Sequence, residues 1–268
     1  MTDSGRSLGA GVLHQGAAAT RFSLNRHRPP EDLAPFVDFC WVVRWDLRGE
    51  PAHEQAILPH PNVNLAFEAA GPAVYGIDRR VFTRKISGAG AVLGIRFRPG
   101  GFRPFFSAGK ISALNDLVVP AGDIFGPEAG KACAAVLAAS SDEAMIAAGA
   151  GLLRAAGPRP DPVIDQVAAI VDRITADQGL RRVASLAEVF GIPERRLQRL
   201  FAEYVGVSPK WVMRRARLHE AALSADAGGE VDWATLASDL GYADQAHLTR
   251  DFTATLGVPP SRYAAGGR

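Results

Sequence analysis

The side chains best suited to chemistry in this sequence are arginines and glutamines at regular spacing, not clustered acids, thiols or histidines. Arg195, Gln198 and Arg199 fall at i, i+3 and i+4, so a helix puts them on one face. Leu197, Leu200 and Phe201 form the apolar stripe of the same helix. Arginine and glutamine forks pair bidentately with guanine and adenine edges in a major groove. A similar face returns downstream: Gln245, Ala246, Thr249 and Arg250 stand outside a stripe of Leu248 and Phe252. No Gly-x-Ser-x-Gly and no phosphate-binding glycine loop is present, and Pro99-Gly100-Gly101 reads as a turn. Nothing in the chain supports catalysis, so no enzyme activity and no cofactor is expected.

Each outward face needs an element to brace it, and the brace also occurs twice. The first copy runs Leu186-Ala187, Gly191-Ile192, Leu197 to Phe201, then Gly206-Val207-Ser208-Pro209. The second runs Leu236-Ala237, Gly241-Tyr242, Leu248 to Phe252, then Gly257-Val258-Pro259-Pro260. The offset is 50 residues for the first landmarks and 51 from Leu197 and Leu248 onward, so one residue is inserted in the turn. A short helix over 184–190 stops at Gly191, where a left-handed residue suits a helix end. A second opens at Pro193-Glu194, with proline in a tolerated first-turn position and an acid at the positive dipole end. Two short helices joined by a tight glycine turn are a helix-turn-helix. Ser208-Pro209 starts a longer helix, about 210–225, that separates the two units by about 24 Å.

The doubled unit, with Gly-Val-x-Pro in each copy, resembles the DNA-binding domain of AraC-type transcription regulators over roughly residues 163–263. The resemblance implies base contacts by Arg195, Gln198 and Arg199 in the first reader. In the second it implies Gln245, Ala246, Thr249 and Arg250, although Ala246 departs from a polar family position. Arg196, Lys210, Arg214 and Arg215 are expected at phosphates. Double-stranded DNA is the implied partner. RNA polymerase, a small-molecule effector and a second copy of the chain are further partners it leaves open. The segments 36–45, 58–67 and 97–102 resemble, more distantly, an uncharacterised amino-terminal domain that accompanies such DNA-binding domains; this supplies no ligand. A different class also stands: a DNA-repair-associated or enzymatic protein carrying an AraC-like module. The cysteine cluster that repair proteins of this kind use for zinc is missing here.

Charge is unevenly spread. Residues 173–217 carry ten Lys/Arg against four acids, and residues 218–268 carry three against seven. Phosphate neutralisation supplies most non-specific DNA affinity. The first unit is therefore expected to anchor, and the second to contribute less or only on particular sequences.

With 268 residues, 47% apolar and 22% charged, the chain is long enough for two domains of ordinary composition. Two isolated cysteines, Cys40 and Cys133, fit a reducing cytoplasmic location and exclude a disulfide framework. No apolar run reaches the roughly 20 residues of a membrane span, so no membrane partner is expected. Residues 1–20 lack a secretory pattern and read as a flexible tail. The segments 38–45, 62–68, 73–77, 81–86 and 91–97 read as strands, with 102–106 as a short helix and 31–39 as either helix or strand. Helical spacing fills 128–156 and splits at Ser140-Ser141. Three prolines within 158–162 make a stiff joint, followed by an amphipathic helix over 163–175. The expected fold is thus α+β: a mostly β sensing or dimerising domain (21–125), a helical linker (126–160) and an all-α DNA-binding domain (161–268).

Two readings stand for the aromatics of the first domain. Trp41, Trp45, Phe67, Tyr75 and Phe97 are either core or, with Arg96 and Arg98, the lining of a small-molecule pocket. His60, Asn62 and Asn64 are turn residues beside them and join Trp41, Arg96 and Arg98 as ligand candidates. His53, Glu54 and His60 lack the spacing of a metal site, and no metal is expected. Cys40 on an apolar strand reads as an inert buried thiol.

Overall fold

A computed structural model describes residues 12–13, 20–177, 179–227 and 230–266. The amino-terminal half is built on a six-stranded antiparallel sheet in the order β1-β2-β7-β4-β5-β8, and β3 and β6 form a separate two-stranded ribbon. The strands are β1 (Ser23–His27), β2 (Val37–Leu47), β3 (His53–Ile57), β4 (Asn64–Phe67), β5 (Ala73–Tyr75), β6 (Phe82–Ile86), β7 (Gly88–Phe97) and β8 (Val118–Pro120). Five of these match expected strands; β1, β3 and β8 were not expected. Each of the three is short, and β3 (His-Glu-Gln-Ala-Ile) lacks an alternating apolar signal. Residues 31–39 divide between a 3-10 turn at Glu31–Leu33 and the start of β2, and the short helix near 102–106 is a 3-10 turn at Arg103–Phe105.

Period two gives the sheet two different faces. Leu65, Phe67, Leu93, Ile95 and Phe97 point to one side and are fully or almost fully buried. Against them pack α2 (Glu128–Ala138) and α3 (Asp142–Ala155), which follow the single turn α1 (Gly122–Phe125). A Cβ on Gly149 of α3 would lie 2.9 Å from Leu93 Cδ2, so the missing side chain lets helix and sheet close up. The expected linker is therefore a covering layer of the β domain, because its apolar stripe has the sheet to bury against. Ser141 caps α3 by accepting from Ala144 N at 3.2 Å. Asp142 accepts from Asn25 Nδ2 (3.0 Å), His27 Nε2 (2.9 Å) and Arg44 Nη2 (2.8 Å), which ties the start of α3 to β1 and β2.

The second half is all α: α4 (Pro162–Ala176), α5 (Val183–Phe190), α6 (Glu194–Leu200), α7 (Pro209–Asp226), α8 (Trp233–Asp239), α9 (Gln245–Leu256) and α10 (Pro260–Gly266). A π-helical turn, Phe201–Val205, extends α6. Asp161 caps α4 by accepting from Val163 N at 2.9 Å. One continuous apolar core runs from the sheet through α4 into the first helix-turn-helix, and a second core holds α7, α8, α9 and α10. The tail is not wholly outside the fold. Val12 bridges to Ile57, and Leu13, 5% exposed, enters the second core beside Leu58. The rest of 1–19 lies outside the described residues. Among the described residues no helix is long and apolar enough to cross a membrane.

Candidate nucleic-acid interface and the cavity behind it

The repeat folds as two equivalent units. Gly191 and Gly241 take the turn between helices with φ of 61° and 73°, a region that glycine enters without steric cost. Ile192 and Tyr242 follow them into the core, at 6% and 5% exposure. Leu197 and Leu248, then Phe201 and Phe252, are all at 0%. Gly206 and Gly257 close the units with φ of 98° and 81°. The two second helices start differently. Pro193 opens α6 with no side-chain cap, whereas Asp244 opens α9 and accepts from His247 N at 2.7 Å.

The outward faces are open to solvent. Arg195, Arg196, Gln198 and Arg199 on α6 are exposed, as are Gln245, Ala246 and Arg250 on α9; Thr249 is half-buried. Lys210 is exposed in the first turn of α7. The other two residues expected at phosphates differ. Arg214 is held by Asp251, which also accepts from Tyr242 Oη at 2.8 Å. Arg215 is 3% exposed, lies over the Trp211 ring at 4.6 Å and donates to the Arg79 carbonyl at 2.8 Å. Burial and the neighbouring Arg214 charge pull its pKa down to about 10. Its place in the helix turns it toward the β domain and away from solvent. Sequence alone does not separate the outer from the inner arginines of α7, because Arg214 and Arg215 are adjacent and the β domain that covers Arg215 lies far away in sequence.

Five of the six ligand candidates lie around one cavity of about 250 Å³ between the free face of the sheet and the β3–β6 ribbon: His60, Asn62, Asn64, Trp41 and Arg96. Period two supplies its wall. Phe39, Trp41, Val43 and Trp45 of β2 line it, with Val92 and Arg96 of β7 and Asn64 and Ala66 of β4. Gly94 and Gly90 sit directly opposite Trp41 and Trp45 in the β2–β7 register. A Cβ at Gly94 would stand 1.9 Å from the Trp41 indole, so the glycines make room for flat-lying rings. Arg98, the sixth candidate, is outside the cavity. It bridges Asp165 of α4 at 2.9 Å and donates to the Pro35 carbonyl at 3.1 Å. One residue past the end of β7, it has left the alternation that turns Arg96 inward.

Polar groups sit at both ends of the cavity. Arg96 donates to Asn62 Oδ1 at 2.8 Å and faces Asp38 at 3.3 Å. Burial lowers its pKa to about 10 against the opposing pull of Asp38. Arg26 and Arg96 both lie over the Phe39 ring, at 4.6 and 5.1 Å. At the other end Glu68 is paired with Arg84 and accepts from Tyr75 Oη at 2.6 Å. Sequence reading missed Arg26 and Gln55 because they come from short strands it did not expect, and Glu68, Phe82 and Arg84 because nothing local says which side of their segments meets a cavity. Burial pushes the Cys40 thiol up to about 12, which keeps it protonated. Among the described residues no group of three or more His, Cys, Asp or Glu could hold a metal ion.

The cavity wall touches the helical half. His60 stacks on His219 of α7 with ring centroids 4.0 Å apart and planes 18° apart, and His219 Nε2 lies 3.4 Å from the Pro59 carbonyl oxygen. Lower on the interface Asn115 Nδ2 donates to the Gly206 carbonyl at 2.8 Å, and Arg103 meets Glu203 at 3.4 Å.

A helix-turn-helix domain family model matches residues 186–266, and a model of a domain of unknown function, DUF6597, matches residues 25–120. Among curated proteins none matches significantly. Among solved structures, a probable AraC family transcriptional regulator from Rhodopseudomonas palustris is 25% identical, covering 37% of this chain and 94% of that one, with a TM-score of 0.32. ToxT from Vibrio cholerae is 14% identical, covering 91% of this chain and 98% of that one, with a TM-score of 0.41. The doubled helix-turn-helix lies where the helix-turn-helix family model matches, so residues 186–266 belong to that domain family.

Proposed function

We propose that the two units read adjacent major-groove segments of one duplex, with residues 161–268 as the DNA-binding part. The carrying observation is the recurrence of an exposed face ending in arginine, Arg199 and Arg250, on two equivalent helices. The 18 residues of α7 give about 27 Å of rigid spacing, compatible with groove segments about 34 Å apart. In this reading Arg195, Gln198 and Arg199, with Gln245, Thr249 and Arg250, approach bases; Arg196 and Lys210 approach phosphates. Ala246 offers only its methyl group, suited to apolar contact with a thymine. Residues 21–160 act as the sensing part. The His60–His219 stack supports coupling between them, because a change at the cavity wall must shift the ring that α7 rests on.

Fluorescence anisotropy of full-length protein on its own upstream DNA and on scrambled DNA, across a salt series, tests this reading. Selective binding that Arg199→Ala weakens is expected. Equal affinity for both DNAs, unchanged by the substitution, would refute it.

A further inference from the structure

Resting on the reading of 21–160 as a sensing part, we infer that the cavity takes a small aromatic amine in its protonated form, with its ring between Trp41 and Phe82 and its ammonium at Asp78. Size, ring faces and charge each support it. A dry cavity of about 150 Å³ accommodates benzene, so 250 Å³ suits about ten heavy atoms, a single ring with a short chain. Cβ atoms on Gly94 and Gly90 would stand 1.9 and 2.5 Å from the indoles of Trp41 and Trp45, so each indole lies against the sheet and turns its other face to the cavity. On the ribbon side Phe82 meets Tyr75 edge to face at 5.9 Å. A π face carries partial negative charge, so such walls hold a flat ring and favour a cation over an anion.

Charge is the most specific of the three. Arg84 is paired with Glu68, and Arg96 stands 3.3 Å from Asp38 and donates to Asn62. Arg26 lies over Phe39 in the field of Asp38. Asp78 lines the same cavity, half-buried, and among the described residues no ion pair or side-chain hydrogen bond holds it. The charge that acts on it is Asp116, of like sign and already bound by Arg79. Burial first, and Asp116 second, push the Asp78 pKa up, as befits a carboxylate short of a counter-charge. A ligand ammonium supplies that charge. A ligand carboxylate would find the arginines already engaged and would add a like charge beside Asp78. Asp78 also adjoins the helical half. The carbonyl of the next residue, Arg79, accepts from Arg215 of α7 at 2.8 Å, so an ammonium drawn to Asp78 binds beside a contact that positions this helix.

Trp41 and Trp45 make the protein its own reporter. Their emission is followed while full-length protein is titrated with 3-phenylpropylamine, 3-phenylpropan-1-ol and 3-phenylpropionate, three probes that share one ring and chain. The amine is expected to bind about tenfold more tightly than the alcohol, and the acid most weakly. Asp78→Asn should bring amine and alcohol to within about threefold, while Asp165→Asn, which removes an exposed acid outside the cavity, leaves the preference unchanged. Should Asp78→Asn misfold, the probe series on the unaltered chain still decides. Alcohol or acid binding as tightly as the amine would overturn the inference. So would an amine preference that Asp78→Asn leaves intact, or an amine that gives no saturable response up to about ten millimolar. Anisotropy on DNA is read in the same samples. Amine binding without any change at DNA would uphold the ligand class and remove the sensing role; selective DNA binding with no amine binding would overturn the ligand class and leave the DNA-reading proposal standing.

Discussion

His60 and His219 stack face to face, 4.0 Å between centroids, although one lines the cavity of the β domain and the other belongs to the helix that separates the two helix-turn-helix units. Burial drives the His219 imidazole down to about 3, with the Arg215 and Arg96 charges adding to that and the Pro59 carbonyl opposing it. The ring is thus neutral wherever the fold is intact. Between its ordinary value of 6.5 and about 3, unfolded chains bind a proton there and folded chains do not. Stability must therefore fall as the pH drops through that window, by at most roughly 1.4 kcal/mol per unit. His219→Gln should flatten that part of the profile, as followed by chemical unfolding between pH 7 and about 5.

The Arg214–Asp251–Tyr242 link joins α7 to the second helix-turn-helix unit. Asp251 is 12% exposed and accepts from both partners. Asp251→Ala leaves a buried tyrosine hydroxyl and an arginine without their acceptor, and should cost about 3 kcal/mol in unfolding free energy. Its effect on DNA should come through loss of the folded second unit. Arg214→Ala should leave the salt slope of DNA binding unchanged, in contrast to Arg196→Ala, which should lower it by about one.

Gly94→Ala directs a methyl group into the Trp41 ring. The indole must leave its position or the strands must part. The expected cost is about 1–3 kcal/mol of stability, with a shift in tryptophan emission. Serine, nearly as small, should behave like alanine. Unchanged emission and stability would mean Trp41 does not lie across Gly94.

Much of the carboxy-terminal half was legible because its landmarks repeat. The glycines at 191 and 241 and the stripes at Leu197/Phe201 and Leu248/Phe252 each had a counterpart to check against. The start of α7 followed from Ser208-Pro209, and that of α4 from the prolines that precede it. The β half was less legible because both faces of its sheet are apolar. Phe39-Cys40-Trp41-Val42-Val43 reads as a continuous apolar run, and nothing local says that Cys40 and Val42 face helices while Phe39, Trp41 and Val43 face a cavity. That division is set by the distant α2–α3 layer. The pairing of Arg214 with Asp251 and the burial of Arg215 against the Arg79 carbonyl were not legible for the same reason: these partners are far away in sequence.

Base reading by α6 is tested most directly by one comparison: the affinities of the unaltered chain and of Arg199→Ala for upstream DNA and for a set of single-base variants of it. A base contact predicts a loss of about 1–3 kcal/mol on the natural site and relaxed discrimination at one position only. Uniform weakening on every sequence would contradict it and reduce Arg199 to a phosphate contact.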